Sequence, residues 1–198
     1  MNNNIKIGDI RKTQIIEAAL RKFSQVGTYH ATLDDVAEEA GMSKGGIAYH
    51  FSSKDVLVKE VFQAFFERIF LRSKETMDQY ADPIDKILSF SWLYDANDPD
   101  VNPGYQLLFD FMSMSVQDEK CRQMFHEWVN GWIILLKKAL IEGIEQGMFR
   151  DIDPESTARS ISSIYHGIAI RWYLDRESHS TEWAIKSFTE SITRLMGV

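Results

Sequence analysis

Residues 32–54 read TLDDVAEEAGMSKGGIAYHFSSK, and this stretch decides how the chain folds. Thr32 followed by Asp35 has the spacing of a capping box, in which the threonine oxygen takes a backbone N–H of the first turn and the acidic side chain reaches back. It opens a short helix over about Leu33–Ala40, with Val36, Ala37 and Ala40 inward. Gly41 can adopt the left-handed backbone that ends such a helix. Ser43 is a natural N-cap for another, running through about Tyr49. Two short helices joined by a tight glycine turn match a helix-turn-helix, whose second helix enters the major groove of DNA. That second helix has only two apolar anchors, Ile47 and Phe51, four residues apart. Gly45 and Gly46 each cost it about 1 kcal/mol relative to alanine. Packing does not explain tolerating them. Close approach of backbone to a phosphate or a thymine methyl does.

Outward from this stretch the period stays helical. Ile15, Ile16, Ala19, Leu20, Phe23 and Val26 make one apolar face, which Gly27 ends. Ser52 with Asp55 predicts the cap of a long helix carrying Val56, Leu57, Val61, Phe62, Phe65, Phe66, Ile69 and Phe70. Asp82-Pro83 predicts a helix to about Tyr94. Residues 95–103 (DANDPDVNP) read as a loop, followed by helices near 104–115 and 118–147. Asp153-Pro154 opens a helix to about Asp175, and Ser180 caps a last one to about Met196. Strand signals are nearly absent. The expected class is all-α: a three-helix N-terminal domain over 1–52 and a larger helical domain over 53–198, with no flexible linker.

Composition narrows the function. A chain of 198 residues with 44% hydrophobic content can bury one core, or join a small domain to a larger one. Its apolar runs, such as Trp132–Leu136, fall far short of the roughly 20 residues a membrane span needs. Met1–Asp9 lacks the apolar block of a signal peptide, so a cytoplasmic protein with no membrane partner is expected. The single cysteine, Cys121, cannot form an internal disulfide and reads as a small helix residue. There is no glycine-rich phosphate loop, no nucleophile elbow and no metal-ligand spacing, so neither catalysis nor a metal site nor a cofactor is expected. His30, His166 and His179 have no evident partners in the sequence. Net charge is −7, but residues 1–60 hold eight basic and eight acidic groups, so the excess lies wholly in 61–198. A neutral head on an acidic body suits a protein that offers one part to DNA.

The run from Ile15 to Lys54 resembles the TetR family: Ala19 and Phe23, Gly27, Thr32, Val36-Ala37, Ala40-Gly41, Ser43-Lys44-Gly45, Tyr49-His50-Phe51 and Lys54. Further on, Glu142-Gly143-x-x-Gln146-Gly147-x-Phe149 with Asp153-Pro154 is also similar to that family, and His166-Gly167-Ile168-Ala169-Ile170-Arg171 resembles its BetI-like subgroup. The family often has an aromatic residue where this chain has Ala48. The resemblance implies that Thr32, Ser43, Tyr49, His50 and Lys54 bind phosphates, while Lys44, Gly45 and Gly46 face base edges, with Ala48 on the same surface. It implies a homodimer on double-stranded operator DNA, with reading helices about 34–36 Å apart. Two apolar stripes suit the interface: Ile161, Ile164, Tyr165, Ile168, Ala169 and Trp172 on about 154–175, and Trp183, Ile185, Phe188, Ile192 and Leu195 on about 180–196. It also implies an effector pocket in the aromatic and methionine-rich middle, with Trp92, Phe109, Met112, Trp128, Trp132 and Tyr165 as candidate walls for a hydrophobic or cationic small molecule. The expected function is an effector-released repressor on a palindromic operator. A nucleoid-associated dimer without a ligand switch is the alternative.

Overall fold

The computed structural model describes residues 2–197, and side chains from residue 8. Among the described residues all regular structure is helical: α1 (Asn2–Val26), α2 (Leu33–Ala40), α3 (Lys44–His50), α4 (Lys54–Met77), α5 (Pro83–Leu88), a 3₁₀ turn (Ser89–Tyr94), α6 (Val101–Gln117), α7 (Glu119–Glu145), α8 (Pro154–Leu174) and α9 (Thr181–Met196). The all-α class is therefore observed.

The helix ends follow local chemistry. Thr32 and Asp35 make the reciprocal cap of α2, and Gly41 closes it at φ 62°. Ser43, Asp82, Asp153 and Ser180 each accept a backbone N–H of the helix they precede. Three expectations need correction. Ser53, not Ser52, caps α4, its hydroxyl accepting from Val56 N at 3.3 Å. The helix after Pro83 tightens to 3₁₀ geometry from Ser89, which brings Phe90 and Leu93, three residues apart, onto one buried side. The loop ends at Asp100, because Pro103 lies in the first turn of α6, where no intrahelical N–H is needed.

Residues divide into two compact units. One comprises residues up to Arg68 together with Asn102–Phe125; the other comprises Ile69–Val101 and the residues from His126 on. In the first, Ile15, Ala19, Phe23, Val36, Ala37, Ile47, Phe51 and Leu57 are buried together. Phe111 of α6 lies 4.5 Å from Phe62 and 5.4 Å from Phe66, ring centre to ring centre. Asp110 accepts from the backbone N and the hydroxyl of Thr28 at 2.8 and 2.9 Å, fixing the turn that follows α1. Lys59 donates to Asp55 at 3.0 Å and to Asp118 at 2.8 Å. The Lys59 ammonium, with help from the Cys121 N–H, holds the Asp118 carboxyl down at about 2.

In the second unit α8 packs on α9, which also meets α5 and the 3₁₀ turn. Tyr94, Trp172 and Phe188 are fully buried there, with Tyr94 5.9 Å from Trp172 and 6.1 Å from Phe188. Gly147 turns the chain after α7 at φ 73°, and the Phe149 ring returns to lie on Gly143. A methyl on Gly143 would come within 2.9 Å of Phe149 Cζ and closer still to Cε2 and Cδ2. The motif noted in the sequence is thus a ring seated on a glycine.

Candidate nucleic-acid interface and aromatic cluster

Helix α3 holds to the first unit by one edge. Ile47 and Phe51 are buried, whereas Lys44, Gly45, Ala48 and Tyr49 are exposed and Gly46 and His50 are half-buried. Tyr49 is 85% exposed and meets His50 edge-on at 5.1 Å. Nothing among the described residues accounts for the two glycines. A Cβ on Gly45 would touch only Ser43 Oγ at 3.9 Å, and one on Gly46 would meet the same atom at 3.5 Å. The Ser43 hydroxyl accepts from Gly46 N at 3.1 Å. The face is small, open and made largely of donors.

The cations of this face are engaged within the chain. Lys44 Nζ pairs with Asp34 at 2.8 Å, both side chains being well exposed. Lys54 Nζ donates to the Tyr29 carbonyl at 2.9 Å. The Thr32 hydroxyl donates to Asp35 at 2.6 Å while accepting from Asp35 N at 3.1 Å. The Thr32 hydrogen bonds hold the Asp35 carboxyl below its ordinary value. Tyr29, which the sequence reading passed over, stands 86% exposed in the turn before α2, and Lys54 donates to its carbonyl.

The six candidate effector residues divide between the two units. Phe109 and Met112 belong to the first unit and are half-buried. Trp92, Trp128, Trp132 and Tyr165 belong to the second. Trp92 lies under the Arg72 guanidinium at 3.8 Å, and Arg72 also bonds Asp98 and Asp100, clamping the acidic loop. Trp128, Trp132 and Tyr165 are linked by rings. Trp132 is 6.3 Å from Trp128, 5.0 Å from Phe90 and 5.9 Å from Phe70. His166 joins them, 5.8 Å from Trp128 and 5.2 Å from Tyr165. His30, His166 and His179, without evident partners in the sequence, have them in the structure: His30 meets Tyr29 edge-on, His166 Nδ1 lies 2.7 Å from the Ser162 carbonyl, and His179 meets Trp183 edge-on at 4.4 Å. Helical back-bonding over four residues, visible only with coordinates, is the signal the sequence reading missed for His166. Burial pushes the His166 imidazole below its ordinary pKa.

The residues of the two stripes differ in burial. Ile161, Ala169, Trp172, Phe188 and Ile192 are buried within the subunit. Ile164, Ile168 and Trp183 are half-buried, and Ile185 and Leu195 are exposed. Among the described residues no group of acidic, histidine or cysteine side chains is placed to hold a metal ion. No described helix is long and apolar enough to cross a membrane.

Comparison with known proteins matches residues 15–61 to the family described as bacterial regulatory proteins, tetR family, and residues 96–197 to the BetI-type transcriptional repressor C-terminal family. The chain is 27% identical over 171 residues to the HTH-type transcriptional repressor KstR2 of Mycobacterium tuberculosis, covering 82% of this chain and 81% of the relative. In fold it is similar to a transcriptional regulator from Saccharomonospora viridis solved in complex with choline, with TM-score 0.83, 21% identity and coverage of 91% and 94% of the two chains. A TetR-family regulator from Cytophaga hutchinsonii superposes at TM-score 0.84, with 19% identity and coverage of 94% and 95%.

Proposed function

Because the chain belongs to the TetR family of transcriptional regulators, and is a DNA-binding regulator rather than an enzyme, we propose that it is a repressor released from a palindromic operator by a small-molecule effector. The observation that carries this reading is α3: an exposed helix with two glycines that no contact among the described residues requires. On this reading residues 1–52 form the DNA-binding head and 53–198 the regulatory body. Ser43, Tyr49, His50, Thr32 and Lys54 take phosphates, and Lys44, Gly45, Gly46 and Ala48 face the bases. The Lys44–Asp34 pair opens on binding, and Thr32 exchanges its bond to Asp35 for one to a phosphate. Two copies join through α8 and α9, where Ile164, Ile168, Ile185 and Leu195 retain apolar surface after the subunit core is closed. The repressor function carried in the name of the KstR2 relative supports the direction of control. The choline held by the Saccharomonospora viridis relative supports a small organic effector. The protein works where its operator lies, in the cytoplasm.

The test is a mobility shift with DNA from upstream of the protein's own gene. A retarded band at low salt is expected, weakening steeply as salt rises. Substituting Lys44 and Tyr49 together by alanine should abolish it. No retarded band with any neighbouring palindrome would defeat the reading.

A further inference from the structure

Folded proteins rarely leave a buried polar atom without a hydrogen bond. The second unit leaves two of them joined through one ring, His166 Nε2 and Trp132 Nε1, and a third, Ser73 Oγ, on the face of α4 that carries Phe70. Ring contacts connect the first two. Trp128 lies 5.8 Å from His166 and 6.3 Å from Trp132, and Phe70 lies 5.9 Å from Trp132. Ser73 follows Phe70 by three residues on α4 and so shares its face. Ser73 is wholly buried.

The hydrogen on His166 can be placed. Nδ1 is 2.7 Å from a carbonyl oxygen, which can only accept, so Nδ1 carries the proton. Nε2 of the neutral ring is then a bare acceptor. Burial keeps the ring neutral. The neighbourhood therefore offers one acceptor, one indole donor and one hydroxyl able to do either, inside walls of aromatic carbon.

We infer that this cluster takes an uncharged, largely apolar ligand bearing a hydroxyl group, which donates to His166 Nε2 and accepts from the Trp132 N–H or the Ser73 hydroxyl. The inference rests on the effector reading above and narrows its ligand. A carboxylate has no proton to give His166, and its charge would face the Nε2 lone pair. A quaternary ammonium has none either and needs open ring faces. Here Trp132 meets Phe70, Phe90 and Trp128 at interplanar angles of 89°, 74° and 84°, so ring edges already answer ring faces.

Calorimetric titration of the full chain with four matched probes tests this: 2-naphthol, naphthalene, 2-naphthoate and (2-naphthylmethyl)trimethylammonium. The naphthol should bind about tenfold more tightly than naphthalene, the worth of one added hydrogen bond in a buried site. Trp132→Phe and His166→Phe, which keep an aromatic ring but remove the polar atom, should bring that ratio close to one. Ser73→Ala deletes an unanswered hydroxyl and should raise the melting temperature of the free protein, a readout independent of either ring. Equal binding of naphthol and naphthalene overturns the inference, because water then satisfies these atoms. Tightest binding of the naphthoate or the ammonium overturns the ligand class and leaves the effector site standing. Binding of none of the four overturns both.

Discussion

Gly45→Ala and Gly46→Ala should move stability and DNA affinity in opposite directions. Neither glycine has positive φ, so alanine fits the backbone of α3 as it stands. The added methyl meets Ser43 Oγ at 3.9 Å from position 45; from position 46 it meets that oxygen at 3.5 Å and Met42 Cβ at 3.9 Å. These are ordinary contacts. Each substitution therefore gains the helix-propensity difference, about 1 kcal/mol. For a chain of this size that corresponds to a rise of about 2–4 °C in melting temperature per substitution, and about twice that for the pair. In the major groove the same methyl displaces the α3 backbone from the base edges. A loss of about tenfold or more in operator affinity, roughly 1.4 kcal/mol, is expected for each. Differential scanning calorimetry gives the first quantity and fluorescence anisotropy with a labelled operator, at fixed salt, gives the second. A rise in melting temperature with unchanged affinity would remove the case for close backbone approach. A fall in melting temperature would show that the glycines serve the fold.

Gly143→Ala should lower the melting temperature by about 2–12 °C, since its methyl overlaps the Phe149 ring and overpacking costs about 1–3 kcal/mol; a melting curve like the parent's refutes it. The Asp118 carboxyl sits at about 2 when folded, below its unfolded value of about 3.9, so it supports the fold above about pH 4 and loses that contribution as pH falls toward 2. Asp118→Asn should accordingly flatten the acid limb of a plot of melting temperature against pH, and an unchanged limb would show that the Lys59 pair does not act in folding. Ile185→Glu, on the exposed side of α9, should shift the elution volume in gel filtration from dimer to monomer with the helical circular dichroism intact. Asp34→Asn should tighten operator binding, because it frees Lys44 for a base edge; weaker binding would mean that the Asp34–Lys44 pair orders the reading helix instead.

Sequence reading located α2, α3, α8 and α9 closely because their ends are set by short-range chemistry. Thr32, Ser43, Asp153 and Ser180 each cap within three residues, and Gly41 turns at its own position. It failed where two residues offered the same chemistry, as Ser52 and Ser53 did, and where tertiary burial drew a helix into a 3₁₀ turn at Ser89. The exposure of α3 could be anticipated because its two buried anchors, Ile47 and Phe51, stand four residues apart in one short run. The aromatic cluster was legible in part. Trp128 and Trp132 share one face of α7, but Phe70, Phe90 and His166 arrive from distant segments, and hydrophobic periodicity cannot say which buried rings meet. The same limit left the two apolar stripes of α8 and α9 unresolved: Trp172 and Ile185 look alike as pattern, yet one is buried and the other exposed where α8 packs on α9.

The choice between a selective repressor and a nucleoid-associated binder turns on how the reading face handles charge. Sequence-independent binding draws nearly all its strength from cations that displace counterions along the phosphates. This chain carries eight acidic groups against eight basic ones in its first 60 residues, and a net −7 overall. Lys44 is held by Asp34, Lys54 by a backbone carbonyl, and an ionised Asp35 stands at the opening of α2. Approach to arbitrary DNA must break these bonds and bring carboxylates near phosphates without compensation from the bases. On the proposed reading, the exchange becomes favourable only where α3 finds edges that match Lys44 and its open glycine backbone. A face built this way penalises non-specific contact more than specific contact, which is the balance a single-operator regulator requires and a general DNA packager does not.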